Sequence, residues 1–92
     1  MILVFYDGGT TLNVYGHANT APAGKDLVCA GVSALVLTLK LSSDYAYLSP
    51  GRAQLRGGDP DVFAAMAKGF EQMAICFPYA VHYKCVKSPG MQ

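Results

Sequence analysis

The chain has 92 residues, of which 52% are hydrophobic and only 14% are charged, and its net charge is +1. A chain of this length has room for one modest core, so we expect residues 1–92 to form a single domain. Because the seven Lys and Arg residues are scattered along the sequence, nucleic acid and anionic membrane are both disfavoured as direct partners. The low charge content favours an exposed apolar patch and hence a homo-oligomer, most simply a homodimer.

The cysteines and the first residues bear on where the protein resides. Three cysteines without a CxxC pair do not form the disulfide framework of a small secreted domain. The N-terminus lacks the basic region of a signal peptide and reaches an acid at Asp7. The longest nearly apolar stretch, residues 27–39, is shorter than the roughly 20 residues that a membrane helix needs. We therefore expect a cytoplasmic protein that does not span a membrane.

The chain opens with a predicted β-hairpin. Residues 2–6 are β-rich, Asp7-Gly8-Gly9-Thr10 is a turn sequence, and residues 11–16 alternate apolar with polar side chains. The second strand ends at Gly16-His17. A surface loop follows, built from small, polar or helix-breaking residues: Ala18, Asn19, Thr20, Ala21, Pro22, Ala23, Gly24 and Lys25.

The middle of the chain predicts a helix and then a weaker hairpin. Asp26 is a suitable N-cap for a helix over residues 27–41. That helix is apolar on nearly all sides, so we expect the sheet to cover one side and a second helix, a partner subunit or both to cover the other. Residues 45–56 contain two short β-like pieces around Ser49-Pro50-Gly51, with Tyr45 and Tyr47 on the same side of one strand.

A second helix begins at Asp59-Pro60, where an N-cap residue precedes a proline at the first helical position. Its apolar residues recur at spacings of three and four, which places them on one face: Phe63, Met66, Phe70, Met73 and Phe77. Pro78 ends the helix, residues 79–86 predict a last strand, and residues 87–92 predict a frayed tail. The predicted fold is α+β, a two-layer sandwich of a small, mostly antiparallel sheet and two helices in the order ββαββαβ.

One cysteine and one histidine are placed where they favour thiol chemistry. His17 ends a predicted strand, and Cys29 occupies the first turn of the next helix, where the helix dipole favours an anion. A thiolate with an imidazole in reach is the nucleophile of cysteine peptidases. Residue types alone leave two other interpretations open, because a single cysteine is often a small core residue and a histidine at a strand end is often only exposed.

Other signals predict structure instead of chemistry. Gly8-Gly9 and Gly57-Gly58 fit turns and match no phosphate-binding fingerprint. His82 and Cys85 would lie on opposite faces of a strand, which disfavours a metal site. Cys76 fits helix packing. We expect neither a cofactor nor a metal ion.

Two blocks of sequence resemble a known family. Gly16-His17-Ala18, followed by residues 24–35 with the sequence GKDLVCAGVSAL, is similar to the signature of the ribosomal-processing cysteine proteases called Prp. The resemblance implies a cysteine endopeptidase with a His–Cys dyad that works as a homodimer. It further implies a protein substrate, a large-subunit ribosomal protein whose N-terminal extension is removed after an aromatic pair.

The same resemblance implies a role for each residue of the signature. His17 corresponds to the catalytic base and Cys29 to the nucleophile, while Asp26, Ser33 and Gly16 support them. The 18–25 loop would order over the bound peptide. Outside the signature the likeness is faint, so processing of a phage capsid or scaffold precursor is an alternative, as is a non-catalytic peptide-binding or structural dimer module.

Overall fold

A computed structural model describes residues 1–17 and 27–86. Seven elements follow one another in the predicted ββαββαβ order, which is confirmed: β1 (Ile2–Tyr6), β2 (Thr11–Gly16), α1 (Leu27–Lys40), β3 (Ser43–Ser49), β4 (Arg52–Gly58), α2 (Pro60–Cys76) and β5 (Val81–Cys85). Within the described residues, no helix combines the length and the apolar character needed to cross a membrane.

The first hairpin forms because its turn satisfies its own backbone. The Asp7 carboxylate accepts hydrogen bonds from the N–H groups of Gly9 at 2.8 Å and Thr11 at 3.1 Å, which replaces the ladder partners that a turn lacks. The two strands then pair antiparallel, with Ile2 opposite Gly16. The predicted hairpin, including its end at Gly16, is confirmed.

All five strands form one sheet in the order β3-β4-β2-β1-β5. Neighbouring strands are antiparallel except β1 and β5, which are parallel. The second hairpin is longer than predicted, because β3 and β4 extend over residues 43–49 and 52–58. This order places β2, which leads to His17, in the centre of the sheet.

Helix α2 has the predicted start and end. The side chain of Asp59 accepts a hydrogen bond from the N–H of Asp61 at 2.8 Å, and Pro60 opens the helix. At the other end, the N–H of Phe77 donates to the carbonyl of Met73. The predicted last strand began too early, since residues 78–80 form a turn in which Ala80 and Val81 both donate to the carbonyl of Phe77.

Both helices cover the same face of the sheet. Their inward residues join the alternate residues of the strands in one core, whose largest fully buried side chains include Phe63, Phe70, Ile2, Leu12 and Leu39. Burying each such side chain contributes roughly 1.5–3 kcal/mol. The predicted two-layer sandwich is therefore confirmed, and within residues 1–17 and 27–86 no helix lies on the opposite face of the sheet.

The two helices fit together through glycines. A side chain at Gly31 of α1 would meet the Met73 Cε at 2.9 Å, and one at Gly69 of α2 would meet a Leu35 methyl group at 2.9 Å. Each helix therefore places a side chain in the space left by a glycine of the other. Because the later residue of α1 contacts the earlier residue of α2, the two helices run antiparallel. As a result α2 covers only one flank of α1.

Candidate active site

A cavity of about 340 Å³ lies between α1 and the end of the sheet where β2 finishes and β4 starts. Its wall is contributed by one side of α1 from Cys29 to Leu37, the start of β1, the end of β2 and the β3–β4 hairpin. The lining residues are Ile2, Val14, Gly16, His17, Cys29, Val32, Ser33, Val36, Leu37, Leu48, Ser49, Pro50, Gly51, Arg52 and Ala53.

His17 is placed by the end of β2. The N–H of the preceding residue, Gly16, donates to the carbonyl of Gly51 at 2.8 Å, and the amino group of Met1 donates to the carbonyl of His17. Gly16 has a φ of +93°, and a side chain there would collide with the carbonyl of Met1. A glycine is therefore required before the histidine, and it lets the chain turn so that His17 reaches the cavity.

The turn between β3 and β4 supports the imidazole. Gly51 has a φ of +75°, and a Cβ built on it would lie 2.9 Å from Nε2 of His17 and 3.5 Å from its Cδ2. The ring therefore packs directly over this glycine, and any side chain at position 51 would displace it. Sequence reasoning identified Pro50-Gly51 as a turn but did not place it beside the histidine.

Cys29 reaches the cavity from the opposite wall. It is the third residue of α1 and half-buried, while Val28 and Val32 anchor the same turns in the core. Ser33 and Leu37 follow at intervals of four residues, so all three side chains line the cavity from one side of the helix. The first N–H groups of a helix have no acceptor within it, which favours negative charge at this position.

The structure brings together four of the residues singled out from the sequence. Gly16, His17, Cys29 and Ser33 all line the one cavity. Asp26 and the 18–25 loop lie outside the described residues. Leu37, Leu48 and Gly51 were not expected at the site, and only the four-residue spacing of Leu37 from Ser33 could have indicated one of them.

The cavity combines an apolar floor with a polar rim. Ile2, Val14, Val32 and Val36 are buried at its base, whereas His17 and Ser33 are exposed. Apolar pockets with a few polar groups at their mouth bind apolar side chains and orient them through the rim. This arrangement can hold an apolar peptide side chain while presenting the backbone to a thiol.

The residues whose pKa is displaced lie at the other end of the sheet. Burial, reinforced by Cys85, Glu71 and Tyr6, raises the pKa of Tyr83 to about 12, and burial likewise raises the pKa of Tyr6. Tyr6 pairs with Cys85 at the far ends of β1 and β5, while the cavity borders Ile2 at the near end. These tyrosines therefore belong to the packing of α2 on the sheet, where Glu71 lies.

The family can be assigned from the sequence as a whole. A family model described as cysteine protease Prp matches residues 5–78. The chain belongs to this family. It is therefore a cysteine peptidase, and the matched range includes both His17 and Cys29. No curated protein matches the chain.

Several solved structures are similar in fold to this chain. The ribosomal processing protease Prp of S. aureus, crystallised with a covalently linked product peptide, has a TM-score of 0.81 at 18% identity and covers 92% of this chain and 99% of its own. The same protease with a substrate peptide has a TM-score of 0.69 at 22% identity, with coverages of 92% and 99%. SMU.848 from Streptococcus mutans has a TM-score of 0.71 at 20% identity, covering 95% of this chain and 93% of its own.

Proposed function

We propose that this cysteine peptidase is an endopeptidase in which Cys29 is the nucleophile and His17 is its base. The observation that carries the proposal is that both side chains line one cavity, one from the first turn of α1 and the other from the end of β2. A thiol nucleophile needs a base within reach, and of the three cysteines only Cys29 lines this cavity.

The proposed reaction follows from these positions. His17 holds the proton of Cys29, and the Sγ thiolate adds to the carbonyl carbon of the scissile peptide bond, forming a C–S bond and an oxyanion. Backbone N–H groups at the start of α1 stabilise the oxyanion. When it collapses the C–N bond breaks, and His17 passes its proton to the leaving amine. A water molecule then loses a proton to His17, hydrolyses the thioester and restores the thiol.

The proposed substrate is the precursor of a large-subunit ribosomal protein, from which the enzyme removes an N-terminal extension. Two observations support it. The S. aureus relative is named a ribosomal processing protease, and the apolar floor formed by Ile2, Val14, Val32 and Val36 suits the aromatic side chain that the sequence resemblance places before the cleaved bond.

We also propose that the enzyme is a homodimer joined through the outer face of α1. Four residues of α1 and the residue that follows its last turn form the α1 stripe, at spacings of three and four: Leu27, Ala30, Ala34, Leu37 and Leu41. The three leucines are 82%, 55% and 86% exposed. An antiparallel second copy centred on Ala34 would place Leu27, seven residues before it, against Leu41, seven residues after it. Because Leu37 also lines the cavity, the partner would border the site.

Cleavage of a ribosomal precursor by matched cysteine variants tests the proposal. The wild-type chain should release the N-terminal extension as a discrete peptide, while Cys29→Ala should lose at least about 10³-fold in rate with an unchanged circular dichroism spectrum. Cys76→Ala, at an exposed cysteine on α2, should cleave like the wild type. Cleavage by Cys29→Ala would contradict the proposed role of Cys29 as the nucleophile. Cleavage of a capsid precursor but not of the ribosomal precursor would contradict the proposed substrate.

A further inference from the structure

The face of the sheet turned away from the helices carries an unexpected collection of side chains. We define the open face by six residues: Tyr15, Tyr45, Tyr47, Arg52, Arg56 and Lys84. They alternate along their strands with core residues such as Val14, Ala46 and Ala53, so they point away from α1 and α2. The two hairpin tyrosines are 48% and 41% exposed.

Rings and guanidinium groups alternate across this face. Arg52 is paired with Tyr15 and Arg56 with Tyr45 in the strand register. The guanidinium carbon of Arg52 lies 5.8 Å from the ring centre of Tyr15 and 6.0 Å from that of Tyr47, and Arg56 lies 5.2 Å from that of Tyr45. The arginines are therefore held flat against the sheet by aromatic rings.

The charge of the open face has one sign. In the described strands the single acidic residue is Asp44, which lies on the other side with its carboxylate against Gly57. Arg52 and Arg56 therefore have no carboxylate from a described strand beside them on this face, whereas Asp7, just past β1, is two residues from Phe5, the register partner of Lys84. A second copy docking here about a two-fold axis would bring arginines against arginines, which costs free energy. The occupant that fits is an anion.

We propose that the open face binds single-stranded nucleic acid. Such strands combine phosphates, which pair with guanidinium groups, and flat bases, which stack on tyrosine rings and on arginines. A Glu-rich peptide would supply the charge but no flat groups for the three tyrosines. The sequence argued against nucleic acid because its cations are scattered, yet the strand order brings three of the seven onto one surface.

The open face and the buried floor of the cavity lie on opposite sides of the sheet, and Arg52, which also borders the cavity, lies where the two surfaces meet. Nucleic acid bound to the tyrosines and arginines would therefore leave Cys29 accessible to a peptide. This proposal does not depend on the assignment of the catalytic pair, since Cys29→Ala should bind nucleic acid as the wild type does. A peptidase of this build can act on a protein that is itself bound to nucleic acid.

Fluorescence anisotropy of labelled 12-nucleotide oligo(U) RNA and oligo(dT) DNA tests the proposal. With three cations engaged and about −0.7 per phosphate for single strands, the log–log slope of affinity against salt should be near −2. Affinity should therefore fall about 16-fold between 50 and 200 mM salt. The relative affinity of the two probes shows which sugar is preferred, and saturable binding of either one through the open face supports the proposal.

Variants separate charge from stacking. Arg52→Gln with Arg56→Gln should weaken binding at least tenfold, whereas Lys68→Gln on the outer surface of α2 should not change it. Tyr47→Ala should weaken binding about fivefold or more, because it removes a ring on which a base stacks. Tyr47→Phe keeps the ring and should bind as tightly as the wild type. Thermal unfolding of each variant establishes that it is folded.

Three results would overturn the proposal. One is a lack of saturable binding of either oligonucleotide at 50 mM salt. Another is binding that the double arginine variant leaves unchanged. The third is equal affinity for a 12-residue oligo-glutamate peptide together with no effect of Tyr47→Ala, since the face would then be a general anion surface.

Discussion

The two helices pack on the same face of the same sheet, yet their outer faces differ. Helix α2 exposes charged and polar residues, among them Asp61, Lys68, Glu71 and Gln72. Helix α1 exposes the α1 stripe, and its only charged residue is Lys40 in its last turn. Both inner faces are buried in one core.

This difference separates what folding requires from what function requires. A helix covering a sheet needs one apolar face, and α2 has no more than that. Since α1 is apolar on its outer face as well, and exposing apolar surface is unfavourable, this is the face on which we propose that a second copy packs. The same helix carries Cys29 and Ser33 on the flank that lines the cavity.

The largest expected effect is on kcat/KM, and it distinguishes the two histidines of the chain. His17 lines the α1 cavity, whereas His82 lies on β5, the strand that packs next to α2. His17→Ala should lower kcat/KM about 10²- to 10⁴-fold, because it removes the base, and His82→Ala should leave it unchanged. Steady-state cleavage of a fluorogenic peptide measures both. Equal effects of the two substitutions would contradict the assignment.

Substitutions in the buried inner faces of α1 and α2 should lower the free energy of unfolding by similar amounts. Phe70→Ala in α2 should lower the free energy of unfolding by about 3–5 kcal/mol and Leu39→Ala in α1 by about 2–5 kcal/mol, because both side chains are fully buried and leave cavities. Ile75→Ala, at a side chain that is 62% exposed, should cost at most about 0.5 kcal/mol. Urea unfolding at a fixed protein concentration gives all three values. A small cost at Leu39 would show that α1 is not a core helix.

A glutamate placed on the outer face of α1 should weaken the proposed dimer, whereas one on the outer face of α2 should not. Ala34→Glu would place two carboxylates against each other at the centre of the proposed dimer and should raise its dissociation constant by about tenfold or more. Ala65→Glu on the exposed face of α2 is the matched control and should leave the mass unchanged. Sedimentation equilibrium measures both. A wild-type monomer, or a dimer that survives Ala34→Glu, would contradict the interface on the α1 stripe.

Two glycines of similar backbone conformation, at the two ends of β4, test the support of the imidazole. Gly51, beside the α1 cavity, has a φ of +75° and contacts His17, while Gly57, near the start of α2, has a φ of +76° and contacts Asp44. Alanine at either position should cost about 1–2 kcal/mol of stability. We expect a loss of kcat/KM, about tenfold, only for Gly51→Ala. A similar loss for Gly57→Ala would mean that backbone strain, and not displacement of His17, lowers activity.

The smallest expected effect is on stability at alkaline pH, and it comes from Tyr83 on the side of the sheet that α2 covers. Because burial raises the pKa of Tyr83 from 10.0 to about 12, the folded chain keeps a proton that the unfolded chain releases. The resulting stability is fully present below pH 10 and is lost as the pH rises through 12. Tyr83→Phe should therefore flatten the decline of the urea midpoint between pH 9 and 11. A decline as steep as that of the wild type would rule out Tyr83 as its source.

Local signals predicted most of the fold. The Asp7 turn, the Asp59-Pro60 helix start and the apolar stripe through Phe63 and Phe70 act over a few residues, and the structure confirms each of them. The last strand was predicted too long because the turn at residues 78–80 depends on hydrogen bonds to the carbonyl of Phe77. Strand order is a long-range property, which the pattern of residues alone did not determine.

The site was only partly predictable for the same reason. His17 and Cys29 were identified by a local motif and by their expected positions at the ends of elements. The contact of Gly51 with His17 depends on the pairing of β2 with β4, and so does the meeting of Arg52 with Tyr15 on the open face. In each of these two pairs, the residues lie more than thirty positions apart in the sequence.

The rate of alkylation at each cysteine tests the central claim most directly. Cys29 is half-buried, whereas Cys76 and Cys85 are exposed, so accessibility alone would make Cys29 the slowest to react. If His17 holds it as a thiolate, iodoacetamide at pH 6 should modify Cys29 before the other two, as read by mass spectrometry of each peptide. His17→Ala should abolish that preference. A Cys29 that reacts more slowly than Cys76 in the wild type, or equally fast with and without His17, would contradict the account.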